Sequence, residues 1–357
     1  MVEVSSVPLE VSRFGCGALE DVEPQALGMT FRMRVPTEGP VAVLTVEFKG
    51  RRTESPAGSG DTFTTCAVVD PVLPGSGELT VTARAAVPTG EWDVLAVPVL
   101  TRPGRPPEQL PVARGKGATA FAPVIQQLAP GAWLGVWPAL VLLGTVLALL
   151  TQALLARHVG LPVVRLLAVT LVACLLGVIG AKTYYLVTHR RDKPGVLQPG
   201  MSIQGFVLVA VGTLVAGAAG LGLRVGAVLD VTGPGLLLGM AVGRLGCFFG
   251  GCCVGRPTSS WWGVWSSDKR VGTRRIPVQL LESACAAAAG LIAMLVVAQT
   301  SQLRGLVFVG AMAAYTLTRQ LLFPLRQLAR QTRYGRQAML ASTALVLLGD
   351  LVVAVAT

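Results

Sequence analysis

Charged residues are scarce in this chain. Only 14% of its 357 residues are Asp, Glu, Lys or Arg, while 52% are hydrophobic. An ordinary soluble domain carries about a quarter charged residues, so that class is excluded for the chain as a whole. No cleavable leader is expected either: Met1 to Phe14 holds Glu3, Glu10 and Arg13 and no apolar core of the needed length. The first segment able to target the chain is therefore expected near Trp133. Nucleic-acid motifs and basic faces interleaved with aromatics are lacking, so the net charge of +11 points to anionic lipid head groups and not to nucleic acid. Neither an inverted repeat nor an ion-coordinating run is visible, which argues against a transporter or channel.

The apolar residues that are present fall into two patterns. Residues 1–110 read as an all-β, sandwich-like domain with no catalytic cluster, suited to an accessory or binding role. Its strand-like runs are Thr30–Val35, Val41–Phe48, Thr62–Val69, Leu79–Ala85 and Trp92–Leu100, each bounded by turn formers such as Pro74-Gly75-Ser76-Gly77. Residues 111–130 are rich in proline, glycine and arginine and read as a linker. Residues 131–357 read as a multi-pass α-helical membrane domain of about seven spans. The spans are placed near Trp133–Ala156, Pro162–Val187, Ile203–Leu223, Val228–Phe249, Gln279–Ala298, Gly305–Leu325 and Gln337–Ala356. Between the fourth and fifth, residues 250–277 bring together Trp261, Trp262, Trp265 and several cations, as an interfacial head would.

Polar residues within or at the ends of the apolar runs carry the chemistry. They are Lys182, Gln204, Asp230, Arg244, Gln279, Glu282, Arg319 and Arg326. Arginine holds its charge in low dielectric and binds phosphate in a fork, so arginines at one depth suit a lipid phosphate. The alternative is that Lys182 and Arg326 simply reach for the interface from helix ends. Arg244 stands between glycines in Gly243-Arg244-Leu245-Gly246, in a stretch read as irregular. Seven cysteines are present. Cys174 and Cys285 read as packing residues, and Cys16 and Cys66 as a pair if their region faces an oxidising compartment. Cys247, Cys252 and Cys253 form a candidate thiol site open to metal binding, a disulfide, an acyl or lipid acceptor role, or inert burial. Their C-x4-CC spacing is not a standard zinc pattern, and no metal or other cofactor is expected.

Several segments, taken in order, resemble the prolipoprotein diacylglyceryl transferases of bacteria. Gly243-Arg244-Leu245-Gly246 with Phe248, Gly251 and Gly255-Arg256-Pro257-Thr258 looks like the family signature. Gly180-Ala181-Lys182-Thr183-Tyr184-Tyr185 resembles its GAR-x-YY segment, and Gly200 to Gly205 its GxSFHG segment. Asp230 with Pro234, Arg275-Ile276-Pro277-Val278-Gln279-Leu280-Leu281-Glu282, the pair Arg319 and Arg326 in the sixth helix, and Tyr334-Gly335-Arg336-Gln337 match further segments. The resemblance covers about residues 130–357 and does not reach the β domain.

It implies transfer of a diacylglyceryl group from phosphatidylglycerol, or another anionic phospholipid, to the lipobox cysteine of a preprolipoprotein. Gln204, Arg244 and Arg319 then stand at catalytic positions, and Tyr185, Gly205, Arg244, Gly255, Arg256 and Arg326 at substrate-binding ones. The family's histidine position is Gln204 here, which takes no proton near neutral pH. Its asparagine and acidic positions are Cys247 and Cys252, and its sixth-helix glutamate is Phe323. His189 after the second helix is a candidate replacement base, against a merely solvated role. The alternative expectation is a non-catalytic member that binds lipid or lipoprotein while its β domain recruits an unidentified partner. The resemblance also implies the bacterial cytoplasmic (inner) membrane, with the N-terminal domain outside. Arg190, Arg191, Lys193, Lys269, Arg270, Arg274, Arg275, Arg330, Arg333 and Arg336 lie on that same side, and the positive-inside rule points the other way.

Overall fold

A computed structural model describes residues 9–12, 22–53, 61–188, 201–300, 304–327 and 334–356. Cys16, His189, Arg190, Arg191, Lys193, Arg330 and Arg333 lie outside the described residues. The chain divides into two compact units, each taken by itself: Met1–Leu140 with Gly243–Glu282 and Leu322–Gln331, and Val141–Val242 with Ser283–Leu321 and Thr332–Thr357.

Period-two alternation builds the first unit. In β3 (Ala42–Arg52), Ala42, Leu44, Val46 and Phe48 are buried and the residues between them less so. The same alternation runs through β6 (Glu91–Thr101). One sheet pairs β4 (Thr62–Val72), β3, β6 and β7 (Glu108–Gln109) in that order, with β8 (Ala113–Ala118) also on β6. The other places β1 (Glu10–Val11) beside β2 (Gln25–Arg34), then β5 (Glu78–Ala85), with β9 (Ala120–Phe121) on β2. Met29, Phe31, Leu79 and Val81 from one sheet share a core with Leu44, Phe48, Trp92 and Ala96 from the other, so the unit is a sandwich. Short helix α1 (Ala122–Ile125) follows.

Two features depart from the sequence expectation. Residues 111–130 are not a free linker, because β8 lies within them and pairs with β6 from Ala96↔Ala113 to Glu91↔Ala118. Gly115 and Gly117 explain the composition: a Cβ on Gly115 would stand 2.4 Å from the Leu9 carbonyl oxygen, and one on Gly117 2.4 Å from the Val11 side chain. These glycines let the β1 segment lie over the sheet. Nor are residues 250–277 a separate head. They contain β10 (Val264–Ser267) and β11 (Val271–Arg275), a hairpin that continues the β1-β2-β5 sheet through Val271↔Val81 and Gly272↔Thr80. Trp265 donates its indole N–H to the Glu78 carbonyl at 3.0 Å. Arg84 donates to the carbonyls of Ile125, Leu128 and Lys269, each at 2.9 Å. Trp261 and Trp262, 91% and 42% exposed, are left free to meet an interface.

The remaining long elements are helices: α2 (Val136–His158), α3 (Val163–Thr188), α4 (Ile203–Gly220), α5 (Val225–Phe249), α6 (Val278–Gln299), α7 (Leu306–Leu322) and α8 (Gly335–Ala356). Among the described residues, six are long and apolar enough to cross a membrane, and α4 is shorter. Leu154 and Leu175, 70% and 68% exposed, are apolar side chains that water would not favour but lipid accepts.

In the second unit small residues set the packing. A Cβ on Gly144 would meet the Gly239 carbonyl oxygen at 2.5 Å, and one on Gly205 the Gly180 carbonyl oxygen at 2.3 Å. Buried Gln152 donates to Thr170 and Thr232 at 2.9 and 2.7 Å, joining α2, α3 and α5. Asp230 on α5 is fully buried and accepts from the backbone N–H of Gly305 and Phe308, at 2.7 and 2.9 Å. It thus caps the start of α7 from another helix, where unpaired donors and the helix dipole favour a carboxylate. Asp230→Ala is expected to cost about 1–3 kcal/mol for each donor left unpaired. The check is the midpoint of denaturation in detergent: Asp230→Asn, which keeps an acceptor, should fall less, and an unchanged midpoint in Asp230→Ala would contradict the capping role.

Candidate functional site

The site of the first unit starts at the end of α5. Arg244 lies within the helix and not in an irregular stretch, because the glycines on either side of it do not interrupt the backbone hydrogen bonding. Gly251 adopts φ +66 and ends the helix. The N–H of Cys252 bonds the Cys247 carbonyl at 3.0 Å and that of Gly251 bonds the Phe248 carbonyl at 3.4 Å. This is a Schellman motif, in which the residue two beyond the last turn packs against one inside it. Both of those positions are cysteines here. Cys253 follows with φ 57, a left-handed conformation that a side chain rarely adopts. The three sulfur atoms lie within 4.8 Å of one another. Gln279 on α6 holds the turn by donating to the Cys252 carbonyl at 3.0 Å.

The chain then threads between two partners. Gly255 bridges Arg326 and Pro257 bridges Arg275. Arg256 donates its N–H to the Leu325 carbonyl at 2.9 Å, and its carbonyl accepts from Ile276 at 3.0 Å. Arg275 is 1% exposed and donates to the carbonyls of Gly255 and Val271, at 3.3 and 3.0 Å, to Asp268 at 3.2 Å and to the Gln327 side chain. Burial pulls its guanidinium below the ordinary arginine range, and Asp268 opposes that.

Glu282 on α6 forms the ionic centre. Its side chain is 1% exposed and takes both Arg326, at 2.5 and 2.6 Å to its two oxygens, and Arg244, at 3.1 Å. Arg326 is 5% exposed and Arg244 13%. Arg326 therefore does not reach for the interface. Nor is it part of the sixth membrane helix: α7 stops at Leu322, Pro324 tightens one 3-10 turn, Phe323–Leu325, and Arg326 is extended at φ −80, ψ 151. Two cations share one buried carboxylate, and Arg326 Nε is buried without a hydrogen-bond partner among the described residues. The Cys253 thiol is held well below the ordinary thiol range by hydrogen bonds from Cys247 and Cys252, against desolvation, with the charges of Arg244 and Arg326 adding to it.

The structure thus brings Arg244, Gly255, Arg256, Arg326 and the three cysteines into the first unit, with Arg256 exposed at its surface. Gln204, Gly205, Tyr185 and Arg319 belong to the second. There Gln204 is exposed and accepts from the Ser202 hydroxyl at 3.0 Å, and Lys182 stands 5.7 Å from the centre of the Tyr185 ring. Arg319 is half-buried near the end of α7. Gly205 has a packing role, the close approach to Gly180 described above. Gln279 and Glu282, two of the polar residues in the apolar runs, and Arg275 in the same segment hold the site together, roles that the sequence leaves unassigned; a carboxylate four residues into an apolar helix signals a buried cation.

These features define a multi-pass membrane protein with a β-sandwich and a buried arginine–carboxylate centre at the end of one of its helices. The profile of the prolipoprotein diacylglyceryl transferase family matches residues 123–355, and the chain belongs to that family. It is 38% identical over 132 residues to the phosphatidylglycerol--prolipoprotein diacylglyceryl transferase of Leifsonia xyli subsp. xyli, a stretch covering 32% of this chain and 39% of that one. To the enzyme of that name in Dehalococcoides mccartyi it is 34% identical over 119 residues, 30% of this chain and 42% of the relative. A phosphatidylglycerol--prolipoprotein diacylglyceryl transferase 2 of Clostridium perfringens is 31% identical over 110 residues, 28% and 42% of the two chains. The match spans about two fifths of the length of these relatives.

Proposed function

We propose that this protein is a membrane transferase that moves a diacylglyceryl group from phosphatidylglycerol to the lipobox cysteine of a preprolipoprotein. In that reaction the cysteine sulfur gives up its proton and bonds a glycerol carbon, the bond from that carbon to the phosphate oxygen breaks, and glycerol phosphate departs with the electron pair and takes up the proton. What the site must supply is positive charge at the phosphate oxygens. The arginine–carboxylate centre carries the reading: Arg244 and Arg326 on one Glu282 leave a net positive charge in a buried place, with the Arg326 Nε–H in need of an acceptor. Arg244, the more accessible of the pair, is the phosphate ligand in this reading. Gln204, at the family's histidine position, orients substrate through its amide and does not take the thiol proton.

The reading includes seven spans in a bacterial cytoplasmic membrane. Pairing of β11 with β5 supports it, because a shared sheet must lie on one side of the bilayer. An even number of crossings then separates β5 from β11, which counts α4 as a span beside α2, α3 and α5. At 18 residues α4 is about 27 Å long, close to the hydrocarbon thickness. The sandwich faces outward and presents a surface to a partner there.

The test uses purified protein in detergent, labelled phosphatidylglycerol and a lipobox peptide. Thioether product is expected, and Arg244→Ala should lower its rate by about 10²-fold or more. Retained phosphatidylglycerol binding without any thioether would sink the transfer reading and leave a lipid-binding protein whose sandwich recruits a partner.

A further inference from the structure

We propose that Cys247, Cys252 and Cys253 form a binding site for one thiophilic d10 metal ion. The inference stands apart from the transfer reading. It starts from backbone geometry. The Schellman motif at the end of α5 brings Cys247 and Cys252 side by side, although they are five residues apart. Adjacent side chains on an extended chain point in opposite directions. The left-handed backbone at Cys253 breaks that alternation, and its sulfur joins the other two within 4.8 Å. Metal–sulfur bonds of about 2.3 Å place three thiolates roughly 4 Å apart around one ion, so the trio closes on it with small side-chain movements.

The donor set selects the ion. Three thiolates and no carboxylate or imidazole in the group favour copper(I) or zinc over magnesium, calcium or manganese. Charge agrees with the chemistry. Binding displaces the thiol protons, and the complex is anionic with either ion. Arg244 and Arg326, two guanidinium groups of the same unit that share one carboxylate, leave positive charge to offset part of it. A non-glycine residue held in a left-handed conformation is strained, and such strain persists where the surroundings impose it. The Gln279 bond to the Cys252 carbonyl is one such constraint. The two ions differ in what they leave over. Copper(I) is satisfied by three sulfurs, whereas zinc takes a fourth ligand and keeps one position open.

The experiment is metal competition on the full-length, reduced protein in detergent, with zinc and copper(I) each titrated against a chelator of known affinity. About one ion per chain is expected in at least one arm, and the arm that binds identifies the ion. Peptide mapping after alkylation should show Cys247, Cys252 and Cys253 protected when metal is present, with Cys66 labelled equally in both states. That readout needs no variant. Cys247→Ser should abolish both the binding and the protection, and Cys66→Ser should preserve them. Equal alkylation of the trio with and without metal, or full binding by Cys247→Ser, would overturn the proposal.

Discussion

Glu282→Ala is expected to destabilise the protein by about 3–5 kcal/mol, the cost of removing one partner from a buried ion pair. The carboxylate is the shared counter-ion of Arg244 and Arg326. Without it, two guanidinium groups would remain in a place where their charge is poorly solvated. The cost is an uncompensated buried charge and not simply a lost contact. Glu282→Gln keeps the shape and one acceptor oxygen and removes the charge, so it should fall nearly as far. Pairing Glu282→Ala with Arg326→Met takes out opposite charges together and should recover much of the loss. Denaturation midpoints of the wild type, both single variants and the double variant in one detergent check the scheme. A Glu282→Ala midpoint equal to that of the wild type would show that the centre is open to solvent.

Gly255→Ala is expected to be nearly as damaging, through sterics. A Cβ there would stand 2.0 Å from the Ile276 carbonyl oxygen and 3.0 Å from Val278 Cγ2. The near obstacle is backbone, and Gly255 is bridged to Arg326 on its other side. Relief requires the strands to part. Overpacking of this kind costs about 1–3 kcal/mol, and parting also moves Arg326 relative to Glu282. The variant should therefore lose phosphatidylglycerol binding together with stability. Gly263→Ala is the control: its nearest obstacles are the side chains of Thr258 and Arg274, which can turn aside. Equal binding and equal midpoints in the two variants would count against the tight threading of residues 254–257.

Much of this was legible in the sequence, and the gaps have physical causes. The five long sandwich strands follow from alternation, and the membrane helices from apolar length. β8 was hidden because Arg114-Gly115-Lys116-Gly117 has no apolar face; its glycines serve the close approach of β1. β11 was hidden because its role is settled by a partner strand far away in sequence, which no local pattern records. At the site, Arg244 stood out as a charge at the end of an apolar run. Its carboxylate partner lies 38 positions on, in another helix, and only the fold brings them together. The sixth span is drawn to Leu325, but the helix ends at Leu322, and Pro324 marks the break that turns Arg326 back to Glu282. The cysteine cluster was readable in part: two glycines after an apolar helix announce a left-handed cap, and the cap dictates which residues meet.

The β5–β11 pairing also sets an order of assembly. β5 is complete at Ala85, but the strand that covers its edge begins at Val271. At translation rates of about 5–20 residues per second, that edge stays open for roughly 10–40 s while the chain through α5 is made. An open strand edge is a template for mispairing with other chains. The sandwich is therefore a late-maturing domain despite its place early in the chain, and its solubility in that interval rests on the polar side chains along β5 and β2 and not on the finished sheet.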